Sequence, residues 1–353
     1  MKYNFHKLLI KINLLLFFLF IIFIKNVFAS DIFQSDYYIV EFQSTNIENN
    51  KMTRINEIKK NSLDKIFKKL LINKDYKIIK RKINNDFADS FILNILINEE
   101  KIINENYYAK IKINFNQEFI INYLRLNKFN YVEYEPKNFL TIIFDENNIS
   151  KKLLSTDNQY YKFLLNNNKD LFNFYLLPNL DINDRFLLKK KDILTLDSNN
   201  FEKIISKYNN NNLIFIHSIN KNESIFFKVY LYNKNSFDLV DSFSVKKINF
   251  NSFFEDLIPK ILNQWKKNNF ISTSSLNIAK CKIKTLNIYE LKKIKNLINS
   301  SLIIKELILK NISLNSNTYI IKYYGNNDTF IKSLNRKNIR VNYNEKICNI
   351  TLK

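Results

Sequence analysis

The sequence predicts a mixed α/β (α+β) protein made of three small modules. Two kinds of run alternate along the chain: β-branched and aromatic stretches, and lysine-rich stretches whose apolar residues recur at helical spacing. The order of these runs changes near Pro136 and again near residue 271, which divides the chain into blocks. The 353 residues are 46% hydrophobic, enough to fill two or three cores.

The first block, residues 30–136, reads β-α-α-β-β-α. "DYYIVEFQ" is a strand. "KMTRINEIKKNSLDKIFKKLLINKD" places Ile55, Ile58, Leu63, Ile66, Phe67, Leu70 and Leu71 on one helical face with lysines opposite. A shorter helical stretch is expected around Ile78–Ala88, then a hairpin whose polar turn is "NEEKIINEN", then the helix "QEFIINYLRLNKF".

The second block, 137–271, reads as a βαβαβ core with a hairpin and a closing helix. Its expected strands are the apolar runs "NFLTIIF", "LFNFYLL" and "NLIFIHSI", as in buried parallel sheets. "ESIFFKVYLYN" and "SFDLVDSFSVKK" form the hairpin, and "FNSFFEDLIPKILNQWKKN" is amphipathic. The third block, 272–353, spells β-α-β-β-α-β, the ferredoxin-like order. In that order the first and last strands are antiparallel neighbours. Cys281 and Cys348 fall on them and are candidates for a disulfide, the alternative being two separate buried thiols.

The first 29 residues read as a signal peptide. Lys2, Lys7 and Lys11 precede the eleven-residue apolar run Leu14–Ile24, which is short for a membrane span, and Val27 and Ala29 suit cleavage before Ser30. The expectation is an exported, periplasmic protein; the alternative is an inner-membrane anchor left uncleaved. Net charge is +22, or +18 without Lys2, Lys7, Lys11 and Lys25. Lysine outnumbers arginine 49 to 6, the reverse of what bidentate phosphate and base recognition favours. Nucleic acid is therefore not an expected partner, and the lysine-rich surface implies at most weak attraction to anionic lipid.

Several chemistries are disfavoured. One glycine in the whole chain, Gly325, leaves no loop able to cradle a nucleotide phosphate; its place before a helix suits a positive-φ turn, with Asp328 as the cap. No G-x-S-x-G and no C-x-x-C occurs. No metal and no cofactor is expected. The remaining candidates are Asp181, Asp184 and Asp192 in "LLPNLDINDRFLLKKKDILTLDS", together with His217 at the end of an apolar strand. Spaced i, i+3, Asp181 and Asp184 share a helical face and could bind a ligand. They equally suit a helix N-cap and first turn, as Asp197 or Ser198 does for the next helix.

This stretch resembles the bacterial envelope family known only as domain of unknown function 2066. Pro178, Leu180, Asp181 and Asp184 match its "P-l-x-D-x-x-D" stretch, Asp192 a following aspartate, and Tyr208 to Ser218 a later run more loosely. "YYIVEFQS" and "NYYAKIKINF" fit its opening half, so the resemblance covers roughly residues 31–270. Where family members carry Trp and Gly around the middle loop, this chain has "DILTLDS". The resemblance implies placement in a Gram-negative envelope and a binding use for the aspartates; the family has no assigned activity. The expected function is non-catalytic: an interaction or scaffold module in envelope assembly or maintenance, with an envelope protein or cell-wall polymer as partner. The alternative is a binder of a small ligand or cell-wall fragment at Asp181, Asp184, Asp192 and His217, and a hydrolase on the same carboxylates comes third.

Overall fold

The computed structural model describes residues 32–166, 169–221, 223–233, 236–313, 316–344 and 347–353. The expected signal peptide, with Ala29 and Ser30, lies outside them. The chain is mixed α/β, with three sheets among the described residues, and it divides into two compact units: residues up to 62 with Ile92–Asn116, and Leu63–Phe91 with Gln117–Lys353. The middle and C-terminal blocks thus share one unit, as do parts of the N-terminal block.

The first unit is a three-stranded antiparallel sheet, β1 (Tyr38–Gln43), β3 (Asn106–Phe115) and β2 (Ile92–Ile103), with β3 central, and the first part of helix α1 (Ile47–Leu70). Strand β3 alternates strictly, burying Tyr107, Ala109, Ile111, Ile113 and Phe115. The hairpin turn is shorter than its polar sequence suggests. Strand β2 runs on to Ile103, and only Asn104 and Glu105, with φ of 47° and 67°, make the connection. Two left-handed residues in a two-residue loop match the right-handed twist of the strands, so "NEEKII" belongs to β2, with the register shifted at Glu99 and Glu100 between the paired Asn98 and Lys101.

The second unit begins at Leu63 in α1. Helices α2 (Asn73–Lys80), α3 (Asn85–Asp89) and α4 (Gln117–Leu126) follow, and Phe67, Phe87, Phe91 and Tyr123 form one aromatic cluster. The central sheet has the order β5 (Lys151–Leu153), β4 (Phe139–Glu146), β7 (Leu213–Lys221), β8 (Ser224–Asn233), β9 (Ser236–Val245). Strands β4 and β7 are parallel and apolar on both faces, as a covered parallel pair must be. The expected second strand "LFNFYLL" is a correction: it forms helix α6 (Lys169–Phe174), leaving β6 (Tyr175–Leu176) to pair only with Phe139 and Leu140. A short apolar run does not distinguish helix from strand, and β5 occupies the other end of that edge of β4. Helices α5 (Gln159–Asn166), α7 (Ile182–Leu187), α8 (Lys190–Leu194), α9 (Ser198–Tyr208) and α10 (Phe250–Asn269) complete this part.

The C-terminal part contains β10 (Leu276–Ile283), α11 (Ile288–Asn299), β11 (Ile304–Ser313), β12 (Ser316–Tyr324), α12 (Asn327–Arg336), β13 (Ile339–Asn344) and β14 (Ile347–Leu352). The ferredoxin-like run is present with one strand more. "IRVNYNEKICNITL" folds back as a hairpin, giving the order β11-β12-β10-β14-β13. The last strand therefore lies parallel to β10, not antiparallel as expected. Cys281 and Cys348 face each other in that register and are disulfide-bonded, with Cα atoms 4.4 Å apart. Gly325 has φ of +86°, but Asn326, not Asp328, caps α12 by accepting from Thr329 N–H.

Candidate functional site

Asp181 and Asp184 come together, and both serve the fold. Asp181 caps α7, its carboxylate accepting from Asp184 N–H at 2.8 Å, and that bond, ahead of the Lys207 contact, holds its carboxyl below the usual range. Asp184 is 0% exposed. It accepts from Leu180 N–H at 2.9 Å, from Lys207 Nζ at 2.7 Å and from the Tyr208 hydroxyl at 2.8 Å. Lys207 is held well above the ordinary lysine range, first by that bond to Asp184. A carboxylate so enclosed has its acceptor sites filled by the protein's own donors.

Asp192 stands apart, turned back on Lys189 N–H at 2.8 Å as part of the first turn of α8, and Asp197 caps α9. His217 is elsewhere again. Its Nε2 lies 3.0 Å from Glu146 Oε2, and Lys151 holds the other Glu146 oxygen at 2.7 Å. Burial pushes the imidazole below its usual pKa, against the opposing pull of Glu146. Ser218 bonds Tyr160 at 2.7 Å on the other face of the strand, because neighbouring residues of β7 point to opposite sides. Ser218 is thus turned away from His217. The four residues expected to gather at one mouth do not gather: no hydrogen bond or ion pair among the described residues joins Asp192 or His217 to the aspartate pair. Nor do three His, Cys, Asp or Glu side chains assemble as metal ligands among the described residues.

A concavity lies at a different place, between the amino end of β7 and helix α12. It encloses about 460 Å³, within the range of small-molecule sites. Its aromatic residues are Tyr232, Trp265, 3% exposed, and Tyr134; the rings of the last two meet edge to face at 4.9 Å. The indole N–H donates to Asn212 Oδ1 at 3.0 Å, so the remaining polar group of Asn212 is the donor NH2. Asn269 donates to the Trp265 carbonyl at 2.9 Å, which leaves its acceptor oxygen. Asn233 and Asn268 both donate to Asp238 Oδ2, at 3.0 and 2.7 Å, which fixes that side of the cleft. From α12, the Arg336 guanidinium lies 3.8 Å over the Tyr134 ring and donates to Glu133 Oε2 at 3.2 Å. Glu133 in turn accepts from Ser301 Oγ and Leu302 N–H, so this wall joins the segment before β4 to the turn that follows α11. An aromatic pair, amides held in fixed orientations and one stacked guanidinium suit a polar, hydroxyl- or amide-bearing ligand.

The sequence reading missed this site because its asparagines sit in a chain rich in asparagine throughout, and "YNNNNL" looks like a turn. One signal was present. The only tryptophan in the protein, Trp265, lies in the last turns of an amphipathic helix. No family model, curated protein or solved structure matches the chain.

Proposed function

We propose that the protein is an exported, non-catalytic binding module of the Gram-negative cell envelope, holding a fragment of a polar envelope polymer in the cleft around Trp265. The observation that carries this reading is the set of oriented amides beside an aromatic pair, a combination that recognises the hydroxyls and amides of glycans and peptides without chemistry. The acidic loop is not used, since its carboxylates are satisfied internally. The Cys281–Cys348 disulfide supports an oxidising compartment, in agreement with the basic and apolar character of the first 29 residues. The resemblance to the envelope family over residues 31–270 belongs to the same proposal.

Trp265 provides the test, because it is the sole tryptophan and lines the cleft. Soluble cell-wall glycopeptide fragments titrated into the protein should change its emission with a saturable profile. Asn269→Ala should weaken that binding while leaving the thermal midpoint close to the parent, whereas Asn212→Ala also unpairs the buried Trp265 indole N–H and should lower the midpoint as well. Unchanged emission together with no heat of binding in calorimetry would remove the cleft from the function.

A further inference from the structure

Charge is not spread evenly along the chain. Residues 272–353 hold fifteen lysines and arginines against four acids, a net +11, half of the whole protein's +22 in under a quarter of its length. Within this block one turn combines that charge with exposed apolar surface. Leu286 is 95% exposed, Ile288 68% and Tyr289 81%. They sit at the start of α11, where Asn287 is the N-cap.

This tip is held in place. Asn287 accepts from Glu290 N–H at 2.9 Å, and Glu290 Oε2 accepts from Leu286 N–H at 2.7 Å, so the turn that displays the three side chains is closed by two hydrogen bonds. Nor are they a core face that has come loose: α11 buries Ile294 and Ile298 in the module. Exposed lysines surround the tip, Lys284 before it and Lys292, Lys293 and Lys295 after it. Glu290, engaged with the backbone, is the only acid between residues 272 and 305. Beside the tip lies a shallow depression of about 510 Å³ lined by Tyr289, Lys292, Lys293, Asn296, Leu297 and Ser300.

We infer that this tip docks the protein on an anionic lipid bilayer. Three apolar side chains on one turn fall far short of the roughly 800 Å² per partner that a stable protein interface requires. Shallow insertion at the acyl boundary needs only a few apolar side chains and a ring of lysines against acidic head groups. The depression between Tyr289, Lys292 and Lys293 places two ammonium groups where a head-group phosphate would lie. The inference is independent of the cleft around Trp265.

The test uses the full chain and vesicles of equimolar phosphatidylglycerol and phosphatidylcholine, with phosphatidylcholine alone as comparison. The Tyr289→Trp variant reports the tip locally, whatever the rest of the chain does, against the constant background of the buried Trp265. Its emission should move to the blue on the anionic vesicles and be quenched by lipids brominated in the acyl chain. Replacing Lys292 and Lys293 by Ala should weaken that response about 25-fold, at about fivefold for each lysine near a charged surface. Leu286→Ser with Ile288→Ser should abolish the blue shift at an unchanged melting temperature, since both side chains are already in water. A Tyr289→Trp emission indifferent to anionic vesicles, or equal on both vesicle types, would overturn the inference.

Discussion

Removing the Asp184 carboxylate tests most directly whether the acidic loop is architecture. In Asp184→Ala, Leu180 loses the partner of its buried N–H, at a cost of about 1–3 kcal/mol for an unsatisfied buried donor. Lys207 and Tyr208 lose their shared acceptor as well. Breaking a fully buried ion pair costs about 3–5 kcal/mol, but Lys207 is partly exposed and can turn to Asp181 and water, and Tyr208 still accepts from Asn179 N–H. The expected loss is therefore about 3 kcal/mol, which for a unit of this size lowers the midpoint by roughly 6–12 °C.

Calorimetric melting and a urea titration read this loss directly. Asp184→Asn should fall between parent and alanine variant, because the amide oxygen still accepts while the charge facing Lys207 is gone. Asp181→Ala should lower the midpoint less than Asp184→Ala, because Asp181 is partly exposed and water can serve the helix end. Binding at the Trp265 cleft should be unaltered in each folded variant. If Asp184→Ala melted with the parent, the carboxylate would not be structural.

Other outcomes follow from single features. Reducing the Cys281–Cys348 bridge, or replacing both cysteines by serine, should destabilise the chain by up to about 4 kcal/mol, the loop-closure figure for a 67-residue separation, read as a lower urea midpoint. His217 has a folded pKa below its unfolded value, so its contribution to stability is present above about pH 6.5 and is lost as pH falls below that value. His217→Gln should accordingly flatten the pH dependence of the melting temperature between neutral and mildly acid conditions; an unchanged slope would count against the buried neutral imidazole. Glu105 holds φ of 67° in the β2–β3 turn, a region that costs a non-glycine residue about 1–2 kcal/mol, so Glu105→Gly should raise stability by about 0.5–1 kcal/mol after glycine's own entropic cost.

What was legible in the sequence was whatever periodicity alone decides. The apolar spacing of α1, the strict alternation of β3 and the continuous apolar runs of β4 and β7 each follow from how many faces of an element must be buried, and those elements stand where their patterns place them. The capping roles of Asp181 and Asp197 were equally local, since an N-cap bonds only to its own helix turn. Partner-dependent features were not legible. Whether "LFNFYLL" becomes helix or strand depends on how much free edge β4 offers, and whether the last strand lies parallel to β10 depends on where a hairpin inserts. The candidate site belongs to this second kind. Glu133, Asn212, Trp265 and Arg336 lie far apart in sequence, on a connecting segment, at the start of a strand and on two helices, and no spacing rule links them. Aspartates drew attention because they are scarce among lysines, yet scarcity is no measure of availability. Asp184 is enclosed by three donors, whereas the commonplace asparagines are the residues that face open space in the cleft.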